Sequence, residues 1–130
     1  FPMDAIILDL YWFGDPGKMG NLQWDYSRFH NPVGMINDFK ALGVKTILIT
    51  EPYFTRNSSH YSYLNQRHYF GTKTSGETYV LDNFWAGSAA LLDFTKPEAS
   101  DWMWNYYKDR KEEGVAGWWS DLGEPESHPY

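Results

Sequence analysis

The chain has 130 residues, 42% hydrophobic and 22% charged, with no cysteine and a formal net charge of −6. That balance suits a globular domain and excludes disulfides, zinc–thiolate sites and thiol nucleophiles. It argues against nucleic acid and anionic membrane surfaces as partners, because both need a basic stripe. Aromatic residues are the abnormal feature, at 19% of the chain. So small a core has limited room for that many rings.

The start, Phe1-Pro2-Met3-Asp4, carries no basic, apolar, cleavable signal, and no apolar run approaches the roughly 20 residues of a membrane span. A short apolar run at Ala5 to Leu10 predicts the first strand. Residues 12–30 form a long connection rich in Gly and aromatics, including Trp12, Phe13 and Trp24. These three rings are equally compatible with core and with ligand contact. A helix is predicted next: Asn31 caps, Pro32 takes the first helical position, and Val33, Met35, Ile36, Phe39 and Leu42 recur at helical spacing. Gly43 ends it.

Val44 to Thr50 is rich in β-branched residues and predicts a second strand, buried on both faces as in parallel sheets. A second long connection covers residues 52–88 and is again aromatic. Loops beyond about 12–15 residues are usually functional or disordered, and these are too aromatic for disorder. Ala89 to Phe94 predicts a third strand. Thr95-Lys96-Pro97-Glu98 matches a capping box and opens a helix whose packing face carries Ala99, Trp102, Met103, Tyr106, Tyr107 and Arg110. Lys108, Asp109, Lys111, Glu112 and Glu113 read as its solvated face, and Gly114 ends it. Val115 to Trp119 is the fourth predicted strand. Along it Trp118 and Trp119 alternate, so they face opposite sides of the sheet. Alternating strands and helices imply parallel strands with right-handed crossovers.

Each predicted strand ends on or beside an acid: Asp9, Glu51, Asp93 and Asp121. In parallel α/β folds the C-terminal strand ends share one face, which holds the ligand site. Four acids there predict one acidic pocket, although any single acid could equally be a cap or an ion-pair partner. Carboxylates bond sugar hydroxyls, and Trp and Tyr rings accept the C–H faces of sugars. Paired acids also carry glycosidic bond chemistry. Metal binding is the rival, but no EF-hand ligand spacing is present, and His30, His60, His68 and His128 are scattered through loops. Gly14, Gly17 and Gly20 form neither a P-loop nor a dinucleotide pattern, and no G-x-S-x-G elbow occurs. The reading predicts no metal and no cofactor.

Gly117-Trp118-Trp119-Ser120-Asp121-Leu122-Gly123-Glu124-Pro125 resembles the nucleophile motif of glycoside hydrolase family 31. Leu8-Asp9-Leu10-Tyr11-Trp12 resembles its first-strand motif, and Ile49-Thr50-Glu51-Pro52 its second. Trp85-Ala86-Gly87 and Asp93-Phe94-Thr95-Lys96-Pro97 resemble two further segments, all in the family's order. Three positions depart from the pattern: Glu51 stands for the usual Asp, Gly123 for Asn, and Tyr11 where many members have a second Asp. The combination looks most like the bacterial branch that includes 4-α-glucosyltransferases.

The resemblance implies a fold, a site and a reaction. The fold is α/β: the first half, about four β/α units, of a (β/α)8 TIM barrel. Residues 1–130 would form a partial catalytic barrel, truncated after the nucleophile strand. Asp121 would be the nucleophile of a retaining double displacement on α-linked glucosides. Asp9, Leu10, Ile49, Glu51, Trp85 and Trp119 would bind substrate, and the acid/base would be absent from this chain, which ends at Tyr130. The partners implied are an α-linked oligosaccharide and the remainder of the barrel, with no nucleic acid and no membrane. The alternatives are a 4-α-glucosyltransferase using the same intermediate, or a non-catalytic carbohydrate-binding remnant. The 130-residue chain alone is expected to be inactive.

Overall fold

The computed structural model describes residues 2–128; Phe1, Pro129 and Tyr130 lie outside them. In chain order the elements are β1 (Ala5–Leu8), α1 (Pro32–Ala41), β2 (Lys45–Thr50), β3 (Tyr53–Thr55), α2 (Tyr61–Gln66), β4 (Val80–Leu81), β5 (Ala89–Leu91), α3 (Pro97–Glu112) and β6 (Gly117–Ser120). A short 3-10 turn at Pro16–Lys18 interrupts the first long connection.

Strands β1, β2 and β6 form a parallel sheet with β2 in the centre. Leu8 pairs with Leu48, and Leu48 with Trp118; Ile49 pairs with Trp119. Apolar, β-branched side chains suit this sheet because both of its faces are offered to other layers. Helix α1 makes the crossover from β1 to β2. Its start is as expected: Asn31 Oδ1 accepts the Gly34 N–H at 3.0 Å, with Pro32 in the first turn. Gly43 follows at φ 77°, a left-handed conformation that ends the helix. Of the expected apolar face only Ile36 is fully buried, while Val33 and Leu42 are exposed. Helix α3 leads to β6 through Gly114, at φ 110°. A Cβ there would stand 2.9 Å from Ile36 Cγ2, so glycine lets the turn after α3 meet α1.

The third predicted strand does not join the parallel sheet. β5 instead lies between β3 and β4 in a separate antiparallel sheet, with Tyr53 opposite Leu91 and Val80 opposite Ala90. Among the described residues the parallel sheet therefore has three strands, not four. The chain turns back two residues after β2, and β5 pairs with β3 instead of joining the parallel sheet. A short apolar run reads the same in either sheet type, so periodicity alone could not separate them.

The capping box at Thr95 also fails to form. The Thr95 hydroxyl and N–H both donate to Asp93 Oδ1, at 2.6 and 3.0 Å. Lys96 occupies the N-cap position of α3 without a side-chain cap bond. Asp93 is thus the turn residue that launches α3, supported by Lys96 Nζ at 3.5 Å.

The rings left open by sequence become core. Trp12, Phe13 and Trp24 are buried with Ile36, Leu48, Ile49, Tyr53 and Phe84. Trp12 Nε1 donates to the Ile49 carbonyl at 2.9 Å and Trp24 Nε1 to Glu113 Oε2 at 2.7 Å. Buried indole N–H groups need such partners. Glu113 consequently is not part of a solvated face: Arg110 Nε and Nη2 grip it, each at 2.8 Å. A second cluster, with Phe54, Leu64, Phe70, Ala90, Ala99 and Met103, packs the antiparallel sheet against α3.

Candidate functional site

The three parallel strands deliver three acids to one end of the sheet. Asp9 follows β1, Glu51 follows β2 and Asp121 follows β6. Side-by-side parallel pairing places these C-terminal ends together, because the register keeps the strands in step. The Asp121 N–H donates to the Thr50 carbonyl at 3.0 Å, extending the β2–β6 ladder to the residue before Glu51. Asp93, the fourth acid, lies outside this group for the reason given above.

Glu51 is the electrostatic centre. It is only 6% exposed, and its Oε2 is buried with no hydrogen-bond partner among the described residues. Burial, followed by the charges of Asp121, Glu126 and Asp9, raises its pKa to about 7. Desolvation and like charge act in the same direction here, both disfavouring the carboxylate. Asp9 is exposed, with Oδ1 accepting the Leu10 N–H at 2.7 Å. Asp121 and Leu10 are half-buried.

The aromatic candidates are accessible. Trp119 is 40% exposed and Trp85 50% exposed. Trp118 stacks on Tyr107 of α3, so alternation along β6 turns Trp119 to the opposite face of the sheet. Ile7, on the same face of the sheet as Trp119, is also exposed. Ile49 is 2% exposed and belongs to the core beneath the site. A cleft of about 280 Å³ is lined by Glu51 together with Leu92, Phe94, Met103, Tyr107 and Pro125, and runs toward α3. It does not include Asp9, Trp85, Trp119 or Asp121.

Sequence reasoning missed two contributors. Glu126 adds its charge to Glu51. Tyr53, fully buried, exchanges two hydrogen bonds with Ser127: its hydroxyl donates to the carbonyl at 2.9 Å and accepts the N–H at 2.8 Å. Glu126 and Ser127 belong to the fold-back of residues 121–127, which Tyr53 meets from β3, and the only sequence signal for it is the nearness of these residues to Glu51 and Asp121. Among the described residues no three His, Asp or Glu side chains are grouped to hold a metal ion. No helix among them is long and apolar enough to cross a membrane.

Comparison with known proteins gives a consistent picture. The family profile described as the glycosyl hydrolases family 31 TIM-barrel domain matches residues 1–130. Alpha-xylosidase XylQ of Lactiplantibacillus pentosus is 27% identical over 95% of this chain and 16% of its own length. Alpha-glucosidase 2 of Bacillus thermoamyloliquefaciens is 28% identical, again over 95% of this chain and 16% of the relative. Among solved structures, a Flavobacterium johnsoniae GH31 dextranase complexed with glucose superposes with a TM-score of 0.82. It is 29% identical, over 95% of this chain and 15% of that one. The chain thus spans about one-sixth of the length of these relatives.

Proposed function

Because the chain belongs to glycosyl hydrolase family 31, within its TIM-barrel domain, we propose that the protein carrying it cleaves α-linked glucosides with retention of configuration. Asp121 is the nucleophile in this reading. Its carboxylate attacks the anomeric carbon, the glycosidic C–O bond breaks, and the leaving oxygen takes a proton from a general acid. The resulting glycosyl ester is then opened by water, whose proton passes to the same group acting as base. That acid/base lies outside residues 1–130 in this reading. Asp9 and Glu51 bind sugar hydroxyls, while Trp85 and Trp119 present rings to the sugar's C–H faces. Leu10 and Ile49 complete the wall and floor.

The observation that supports the proposal is that Asp9, Glu51 and Asp121 follow three neighbouring, in-register parallel strands at one end of the sheet. Glu51 Oε2, buried without a partner, offers an acceptor or, when protonated, a donor to a sugar hydroxyl. The test is Asp121→Asn in the full-length protein. Turnover of maltotriose should fall at least about 1,000-fold with the melting temperature unchanged. Near-normal turnover would refute the assignment. Products from the unaltered protein also separate the reactions: glucose and maltose mean hydrolysis, and longer oligosaccharides mean that a sugar hydroxyl replaces water.

A further inference from the structure

Tyr53 takes no part in the chemistry proposed above, yet both its ring and its hydroxyl are held beside the site. It is completely buried, and its ring stacks on Phe84 with centroids 4.4 Å apart and planes 28° apart. Phe84 in turn contacts Trp85 at 5.8 Å. The Tyr53 hydroxyl both donates to and accepts from the Ser127 backbone. Burial pushes its pKa above the ordinary phenol range, so the hydroxyl keeps the proton that it donates.

The placement of these bonds gives them meaning. The segment from Asp121 to Ser127 is tied down at both ends by one short stretch of chain. Asp121 N–H bonds the Thr50 carbonyl, and Ser127 bonds the Tyr53 hydroxyl. Glu51 lies between those two anchors in sequence. Within the loop, Leu122 adopts φ 53°, a left-handed conformation that a branched side chain rarely takes unless its surroundings enforce it. Glu126 N–H bonds the Leu122 carbonyl at 3.3 Å, closing the loop into a compact turn. The loop that starts at Asp121 therefore has one backbone anchor and one side-chain anchor, and the second is Tyr53.

We infer that Tyr53 is a positioning residue, whose hydroxyl staples the loop after β6 and so sets the placement of Asp121 against Glu51. The inference rests on Asp121 being the nucleophile. Its stacking on Phe84 ties the same staple to the strand-flanking Trp85, so pocket wall and nucleophile loop share one support. Nucleophilic attack is sensitive to sub-ångström placement, so loosening one anchor should slow the chemical step more than binding.

The experiment uses the full-length protein and a slow fluorosugar substrate, 5-fluoro-α-glucosyl fluoride, which accumulates the glycosyl ester. Labelling rate, stoichiometry and labelled peptide are read by mass spectrometry. Tyr53→Phe keeps the ring on Phe84 and removes only the hydroxyl. The expected result is full labelling of Asp121, one label per chain, at a rate lowered about 10- to 100-fold. The KM for maltose should stay within about twofold. Labelling at the unaltered rate overturns the inference. So does a reduced stoichiometry with the remaining fraction reacting normally, which would mean that Tyr53 only supports folding. If Tyr53→Phe does not fold, Ser127→Pro decides, since it removes one donor and leaves Tyr53 in place; an unchanged labelling rate there overturns the inference. A label on any residue other than Asp121 in the unaltered protein would refute the nucleophile assignment itself, before any variant is compared.

Discussion

The ring of Tyr107 lies flat over Trp118, with centroids 4.7 Å apart and planes 8° apart, while its hydroxyl donates to Thr50 Oγ1 at 2.7 Å. One side chain of α3 thus holds β2 and β6 together. Trp118 pairs with Leu48 and Ser120 with Thr50, so both contacts lie on the same face of the sheet. A slip of one residue in β6 would exchange Trp118 with Trp119 and turn the whole strand over. The Tyr107 contact selects which of two adjacent tryptophans is left exposed.

Tyr107→Ala should therefore cost roughly 3 kcal/mol or more, and Tyr107→Phe about 1 kcal/mol through the lost hydrogen bond. Trp119→Ala should change stability by less than about 1 kcal/mol, because the ring is 40% exposed. It should instead weaken maltose binding by the full-length protein. Thermal unfolding and calorimetric titration of the three variants separate the two roles.

Stability should fall as pH rises from about 4.5 to about 7. In the unfolded chain Glu51 loses its proton near 4.5, whereas the folded protein holds it up to about 7. Across that window the folded state binds more protons, so raising pH favours unfolding, and the cost persists above it. Glu51→Gln removes the titration. Relative to the unaltered protein it should gain on the order of 1–3 kcal/mol at pH 8 and nothing at pH 4. Melting curves at the two pH values check this.

Glu113→Ala, at the C-cap of α3, should be among the more destabilising changes around that helix. It removes both bonds to the guanidinium of Arg110 and the acceptor of Trp24 Nε1. Arg110 is buried and would keep only its bond to the Leu22 carbonyl. Leaving a buried charge unpaired costs several kcal/mol, so roughly 3 kcal/mol is expected. A lowered denaturant midpoint with an unchanged slope would confirm it, and an unchanged midpoint would contradict it.

Asp93→Ala should lower stability by about 1 kcal/mol and leave turnover within twofold. The Thr95 hydroxyl bond is the main reason that the Asp93 carboxyl titrates below its usual range. Its stabilising effect is present above the ordinary pKa of 3.8 and disappears as pH falls through the lowered value. The deficit of the variant should be seen at pH 7 and vanish in strong acid. A large loss of turnover at pH 7 would instead return Asp93 to the site.

Local signals were legible wherever one short stretch of chain contains the whole cause. The Asn31 cap, Pro32 and the Gly43 stop are such a case, since cap, donor and helix lie within a few residues. The strand-end acids Asp9, Glu51 and Asp121 were legible because parallel strands must align their C-terminal ends. The run Ala89 to Phe94 reads as a strand of the parallel sheet, whereas its Ala89–Leu91 part pairs antiparallel elsewhere, because pairing partners are distant in sequence and a short apolar strand carries no mark of its direction. Glu113 was misread for a similar reason. Its partner Trp24 is 89 residues away, and a helical wheel cannot foresee an indole arriving from a loop.

By itself the sequence determined the family, the α/β character, and the residue types at three strand ends, because these depend on short motifs and on alternating periodicity. Tertiary structure alone decided which acids meet, which tryptophan faces outward, and that most of the aromatic surplus in the first loop is core. Trp12 and Trp24 find partners in Ile49 and Glu113, not in a ligand. The reason is that burial and like-charge repulsion depend on distances through space, and those follow only once Tyr107, Tyr53 and the two sheets have brought remote segments into contact.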